Sequence, residues 1–342
     1  MIGVLLRVVL SALITGGIHF YLWFRLVPRT GLTARGRRAL AIAMVALCLS
    51  IPLTTAGRLF APRLVSALSW VSMPWMGLAG LTFLALAAMD TARLLAWLAA
   101  RGLGKRTARA DADTGAGDRP AGAVSRRSFL ARVSGGAAIA VGSASVTGGM
   151  AIARGSHTTE DVEIPLRRLP RALDGFTIVQ LTDLHVGLTI DRAFVQRVVD
   201  HANRLAPDLI VLTGDLVDGP VVDLRDDVAP LADLRARHGV YAVTGNHEYY
   251  AGADAWIAEL SRLGVRYLRN ERVVIGAADA ALELAGVDDY TARDYPGHGE
   301  NVARAVASRD PARPLVLLAH QPRQVKTAIL HGVDLQLSGH TH

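Results

Sequence analysis

Three long apolar runs open the chain, at residues 2–24, 39–56 and 64–89. Each is close to the roughly 20 residues a helix needs to cross the hydrocarbon of a bilayer. Pro52 in the second run is a tolerated kink. Trp70 and Trp75 in the third stand where an interfacial aromatic belt would place them, and that run holds no charge, which argues against a buried soluble helix. Residues 104–124 are Gly, Ala, Asp and Arg without apolar period and read as a flexible linker. A weaker Gly/Ala/Ser-rich apolar run follows at 137–153. The expected organisation is a transmembrane helical region over residues 1–101, a basic linker over 102–127, a fourth hydrophobic segment over 128–153, and a separate domain over 160–342.

From Asp161 onward the pattern changes. Short β-rich apolar runs recur, and five of them end in polar residues. Phe176-Thr177-Ile178-Val179-Gln180-Leu181 leads into Thr182-Asp183-Leu184-His185, and Leu209-Ile210-Val211-Leu212 into Thr213-Gly214-Asp215-Leu216-Val217-Asp218. Val240-Tyr241-Ala242-Val243 leads into Thr244-Gly245-Asn246-His247-Glu248. Leu315-Val316-Leu317-Leu318 leads into Ala319-His320, and Val333-Asp334-Leu335-Gln336-Leu337 into Ser338-Gly339-His340-Thr341-His342. Continuous apolar runs of this length predict strands buried on both faces. Residues 192–205, 253–263 and 302–307 show helical apolar spacing. Strand–helix alternation implies an α/β sheet with helices on its faces, and in such sheets ligands bind beyond the carboxyl ends of the strands.

Charge divides the chain at the same place. Up to residue 155 there are 18 Lys+Arg and 4 Asp+Glu, a net of +14; beyond it there are 19 and 26, a net of −7. The overall +7 therefore describes the membrane half, and no nucleic-acid surface is expected. The loop at 25–38 carries five arginines and no acid, the loop at 57–63 only Arg58 and Arg63, and the stretch at 93–127 is again basic. Positive loops stay cytoplasmic, so the N-terminus is expected outside and residue 100 inside. Ser125-Arg126-Arg127-Ser128-Phe129-Leu130 resembles a twin-arginine export signal, an address that would engage the twin-arginine export machinery. The alternative is a positive flank of a fourth span, and either reading puts everything after Arg154 outside. Ala151-Ile152-Ala153 fits a signal-peptidase site, whose use the residues leave open. Arg7 is read as the only ionisable group well inside a span, near an end where it can snorkel, which argues against a transporter. Cys48, the one cysteine, rules out an intrachain disulfide.

The strand ends carry the chemistry. Asp and Asn supply hard oxygens and His supplies imidazole nitrogen, so without thiolates the set suits Mn, Fe or Zn. A bridging carboxylate can hold two ions, which clamp the attacking and leaving oxygens of a displacement at phosphorus and lower the pKa of bound water. Asp-x-His, Gly-Asp-x-x-Asp, Gly-Asn-His-Glu, a strand-end His and Gly-His-x-His occur in this order over residues 176–342. That series resembles the calcineurin-like metallophosphoesterases, and the whole layout resembles their membrane-associated branch.

The resemblance implies an α/β sandwich of β-sheets flanked by helices, and two divalent or trivalent metals. Asp183, His185 and His342 would hold the first, Asn246, His320 and His340 the second, and Asp215 would bridge them. His247 would face the substrate and protonate the leaving oxygen, while Asp218 and Glu248 would orient the ligands. His157, His201, His238 and His331 lack partner spacing and are expected in solvent. His298 lies on a loop that could overhang the site, and Gly286-Val287-Asp288-Asp289 reads as a structural turn. The family continues past Gly-His-x-His, so the chain is expected to be C-terminally incomplete.

The function implied is hydrolysis of a phosphomonoester or phosphodiester, on the extracytoplasmic side of a cell membrane that the chain crosses several times. Location brings lipid-linked or envelope phosphoesters into the substrate class. The alternative is a non-catalytic, membrane-anchored protein that binds metal or a phosphorylated ligand through a truncated site.

Overall fold

Four apolar helices make up most of the described residues in the first part of the chain, α1 (Ile2–Leu26), α2 (Ala34–Gly57), α3 (Pro62–Gly102) and α4 (Arg126–Ala153). The computed structural model describes residues 2–29, 31–57, 62–102, 126–155, 157–187, 189–277 and 280–341. The linker at 104–124, Ser125 and His342 lie outside them. Within the described residues, all four helices are long and apolar enough to cross a membrane.

The third differs from expectation in length. Its apolar part runs over Ala67–Arg101, 35 residues, about 50 Å of helix where the hydrocarbon is roughly 30 Å thick. Asp90 does not end it because Arg25 Nε and Nη2 each donate to the Asp90 carboxylate at 2.8 Å, and Tyr21 Oη donates at 2.8 Å. Leu94, Leu95, Trp97 and Leu98 then continue the apolar pattern. Arg7 is not alone in the first span. His19 is buried in α1, with Nδ1 2.8 Å from Thr15 O and Nε2 accepting from Trp75 Nε1 at 2.8 Å. The carbonyl and the indole satisfy both ring nitrogens, which makes an interior histidine tolerable among apolar helices.

The second unit, Ser156–His342, is built from two four-stranded sheets. Its elements run β1 (Ile178–Leu181), α5 (Arg192–Arg204), β2 (Leu209–Leu212), α6 (Val221–Val228), β3 (Val240–Ala242), α7 (Asn246–Ala251), α8 (Ala253–Arg262) and β4 (Arg266–Tyr267). There follow β5 (Glu271–Ala277), β6 (Ala280–Gly286), α9 (Val302–Ala305), β7 (Leu315–Leu318), α10 (Val325–Ala328) and β8 (Leu335–Leu337). One sheet has the order β1-β2-β3-β4, all parallel; the other has β5-β6-β7-β8, antiparallel only between β5 and β6.

Alternate residues of the central strands show how the layers meet. In β2, Ile210 and Leu212 pack with α5, α6 and α8, while Leu209 and Val211 join Leu284, Val316 and Leu318 of the second sheet. In β7, Leu315 and Leu317 pack instead with Val302, Ala305 and Ala328 of α9 and α10. The architecture is helices, sheet, sheet, helices, and a strand buried on both faces needs the unbroken apolar runs read from the sequence. Helix α5 follows the same logic. Asp191 caps it by accepting from Phe194 N, and Val195, Val198, Val199 and Ala202 form its buried stripe.

Three strands were not foreseen, β4, β5 and β6. The β5–β6 hairpin is Ala-rich and carries Glu283, which is buried against Arg272 Nη1 at 3.1 Å. A buried carboxylate inside the run hides its strand period. The 302–307 helix is shorter than expected, Val302–Ala305. His157 and His238 are also packed rather than free in solvent, at 4.8 Å from the Phe194 ring and 5.6 Å from the Phe176 ring.

Candidate metal centre

Five strands deliver their terminal loops to one edge of the sandwich. Four residues there have left-handed backbone: Asp183 (φ 53°), His185 (φ 48°), Asp215 (φ 53°) and His340 (φ 59°). Such a conformation costs a non-glycine residue about 1–3 kcal/mol and persists only where the surroundings enforce it. Backbone bonds do so here, from Asp183 N to Gly214 O and from His185 N to Asp215 O, both 3.1 Å. The His340 N–H is held by the Asp183 carboxylate at 3.1 Å, which ties the end of β8 to the end of β1.

Asp215 is the hub. Its side chain is 1 % exposed, and its Oδ1 accepts from His247 N at 2.8 Å. Its Oδ2 is buried and has no hydrogen-bond partner. Three ring nitrogens surround that oxygen: His320 Nε2 at 3.2 Å, His185 Nε2 at 3.9 Å and His340 Nδ1 at 3.9 Å. Asn246 Oδ1 is likewise buried and unpartnered. Buried polar atoms are nearly always satisfied. Two orphans on two of the proposed ligands, one ringed by imidazoles, are what a cation site built of hard oxygens and nitrogens leaves when its ion is not counted. The residues present therefore fit metal ions.

Each imidazole is oriented from behind. His320 Nδ1 is 2.7 Å from Thr213 O, which leaves Nε2 for the site. Nδ1 of His185 and Nδ1 of His247 lie 2.8 and 2.7 Å from the same atom, Asp218 Oδ1, and the two rings meet edge-on at 4.5 Å. That arrangement fixes the tautomer and leaves both Nε2 atoms free of Asp218, with that of His185 toward Asp215. Glu248 is buried below them, where its carboxylate accepts from Asp215 N (2.9 Å), Leu216 N (2.7 Å) and Gly245 N (2.6 Å).

Electrostatics follow from this packing. The hydrogen bond to Asp218 raises both His185 and His247 above an ordinary imidazole, against the opposing effect of burial. Burial pulls His320 down, but Asp215 beside it wins and takes it up to about 9. Burial raises the Asp218 carboxyl, yet the two imidazoles hold it well below the usual carboxylate range. Burial and the charge of Asp215 push Glu248 up.

Of the residues expected in the site, the structure gathers His185, Asp215 and His247 in one close group and Asp215, His320 and His340 in another. Asp218 and Glu248 adjoin them through the bonds above, and Asn246 is the first residue of α7, next to His247. Asp183 sits at the edge, with its carboxylate also accepting from Thr182 Oγ1 at 2.6 Å. His342 lies outside the described residues. His298 does not open to the site: its Nδ1 is 2.7 Å from Arg269 Nη2 and its ring stacks edge-on against Tyr249. Asp288 and Asp289 serve the turn, binding Arg269 and the Thr291 N–H. Tyr250 was not foreseen. It is exposed, with its ring 5.3 Å from that of His247, and its i+3 spacing from His247 on α7 was the available signal.

Residues 176–342 match the calcineurin-like phosphoesterase family. Residue by residue, the chain is 44 % identical over 192 residues to the bovine (Bos taurus) transmembrane protein with metallophosphoesterase domain, covering 53 % of this chain and 43 % of that one. The Danio rerio protein of the same name is 41 % identical over 190 residues, covering 53 % and 44 %. The chain thus spans less than half the length of these two relatives. An uncharacterized metallophosphoesterase of Aquifex aeolicus is 36 % identical over 185 residues, covering 54 % of this chain and 69 % of its own. With five motifs in family order and their side chains converging at one sheet edge, the chain belongs to the calcineurin-like metallophosphoesterases.

Proposed function

We propose that this protein is a metal-dependent phosphoester hydrolase that holds two ions, held to the cell membrane by its apolar helices with the hydrolase domain on the extracytoplasmic side. The carrying observation is the unpartnered, buried Asp215 Oδ2 with three imidazole nitrogens around it. A carboxylate so placed can bridge two ions, the first with Asp183, His185 and His342, the second with Asn246, His320 and His340. Mn, Fe or Zn ions held by these residues would neutralise phosphoryl charge and would lower the pKa of water toward neutral. The protein's own groups do the rest. Asp218 favours the protonated form of His247 and aims the ring by its Nδ1, so that Nε2 can give a proton to the leaving oxygen. Glu248 fixes the loops that carry Asp215 and Asn246.

The basic loop at 25–38 and the twin-arginine-like segment support this orientation and a role for the export machinery. Substrates borne by lipids or other envelope components fit that placement. The test is metal-dependent turnover of p-nitrophenyl phosphate and bis-p-nitrophenyl phosphate by the full chain in detergent. Mn is expected to activate the wild type, with Asp215→Asn and His247→Ala slower by about 100-fold or more. A wild type no faster with Mn than Asp215→Asn ends the hydrolase reading.

A further inference from the structure

Between Asp310 and Asp334 the chain has no acidic residue, but it has Arg313, Arg323, Lys326 and His331. This stretch lies in the half whose net charge is −7. Within it, α10 and the single turn Ile329–His331 turn Ala328 into the core and leave Val325, Lys326, Ile329 and Leu330 exposed. Val325 with Ile329, and Lys326 with Leu330, are i,i+4 pairs, so they share one face. Ile329 is 69 % and Leu330 80 % exposed. Two adjacent, largely exposed aliphatic side chains form a small apolar tip on this turn.

The charge beside it is organised too. The Arg323 guanidinium lies 3.9 Å from the centre of the Tyr290 ring, and that of Arg293 3.6 Å from the same ring. Among the described residues, neither these two arginines nor Lys326 forms a salt bridge. Arg293 also donates to Tyr290 O at 2.9 Å and its charge reaches the Glu300 carboxyl, whereas the Arg323 guanidinium, held on the ring, is oriented for phosphate. The patch is also fixed to the metal centre. Gln321, next to His320, donates Nε2 to both Asp289 oxygens at 3.1 and 3.0 Å, and Gln324 Nε2 donates to Asp288 O at 3.2 Å. The turn that follows a candidate ligand is thereby clamped to the turn that carries Tyr290.

We propose that the α10 face is a docking surface for an anionic bilayer, with Ile329 and Leu330 entering the interfacial layer and Arg293, Arg323 and Lys326 meeting lipid phosphates. Aliphatic tips ringed by cations are what interfacial insertion requires, and the chain's own apolar helices keep a bilayer at hand. Docking there brings lipid headgroup phosphates to the candidate site, which names the substrate class as a lipid phosphoester; that last step rests on the hydrolase reading above.

Cys48 is the only cysteine, so the full chain with Cys48→Ser accepts one label. An environment-sensitive fluorophore at Leu330→Cys, in proteoliposomes containing phosphatidylglycerol, should be quenched by lipids brominated on their acyl chains. The same label at Val274→Cys should not. Arg323→Glu with Lys326→Glu should reduce the Leu330 quenching by about threefold or more. The two charge reversals should leave p-nitrophenyl phosphate turnover within about twofold of wild type, while turnover of phosphatidic acid in vesicles falls by about tenfold. Docking is overturned if aqueous iodide quenches the Leu330 label as freely as the control, since the face is then in water. Shielding from both quenchers overturns it as well, because protein then covers the face. A wild type inactive on both substrates, with bromolipid quenching intact, removes the hydrolase reading and leaves docking standing.

Discussion

A single oxygen, Asp218 Oδ1, accepts from two histidines that the proposed chemistry uses differently. At 2.8 Å it orients His185, a proposed ligand; at 2.7 Å it orients His247, the proposed proton donor. Its hydrogen bond is the main cause of the raised pKa of both rings. A general acid must be protonated to act, and rate is lost as pH rises through its pKa. Raising that pKa moves the alkaline limb of kcat upward. Asp218→Asn is therefore expected to move the limb to lower pH, and to lower both activity and metal affinity by about 10–100-fold. A pH–rate profile with Mn titrations checks both. A variant with reduced kcat but an unmoved alkaline limb would show that Asp218 serves His185 alone. Glu248 sits one level deeper. Glu248→Ala leaves three buried N–H groups without acceptors, and each unmet donor costs about 1–3 kcal/mol. Denaturant unfolding should show Glu248→Ala losing several kcal/mol and Glu248→Gln, which keeps one carbonyl oxygen, losing less.

The elements meet at the motif glycines. A Cβ on Gly245 would lie 2.2 Å from Asp215 Oδ1 and 2.4 Å from Asp215 N, so the β3–α7 loop approaches the β2 loop closer than any side chain allows. At Gly339 a Cβ would lie 2.0 Å from Thr182 Oγ1 and 2.4 Å from Asp183 Oδ2. Gly245→Ala is expected to cost about 1–3 kcal/mol through overpacking and to weaken metal binding by tenfold or more, since the atom displaced is a carboxylate of the hub. Thermal melts with and without Mn separate the two effects. These contacts explain what was legible in the sequence. Strands β2 and β7 are buried on both faces and β1, β3 and β8 are half-buried, and all five are apolar runs that end in Asp, Asn or His, which announced them. Strands β5 and β6 were illegible because Glu283 interrupts β6, and only its distant partner Arg272 makes that burial tolerable. The same holds for His298. Nothing in its own loop says that Arg269 and Tyr249 will claim it. The sharing of Asp218 by two histidines, 33 and 29 residues away, was visible as residue types but not as a contact.

At the scale of the whole molecule, metal and protons compete for the same fold. Metal-free His320 has its pKa raised from 6.5 to about 9 by Asp215. A raised histidine pKa stabilises the folded state fully below the unfolded value and loses that contribution as pH rises through the folded one. For this fully buried ring the contribution is about 3 kcal/mol, present below about pH 6.5 and gone above about pH 9. Metal binding has the opposite dependence, because a ligating imidazole must give up its proton. Through His320 alone, metal affinity should rise about tenfold per pH unit up to about 9. Tenfold in affinity is about 1.4 kcal/mol of added stability at fixed excess metal, or roughly 3–6 °C in Tm for a unit of this size. The Mn-induced rise in Tm of the full chain should therefore grow steadily from pH 6 to pH 8.5, while the metal-free Tm loses ground over the same range. Asp215→Asn removes the cause of the raised pKa and the proposed bridging oxygen together, and should abolish both trends. An Mn increment equal at pH 6 and pH 8.5 would mean that the buried imidazole does not give its proton to solvent when metal binds, and His320 would have to be struck from the ligand set.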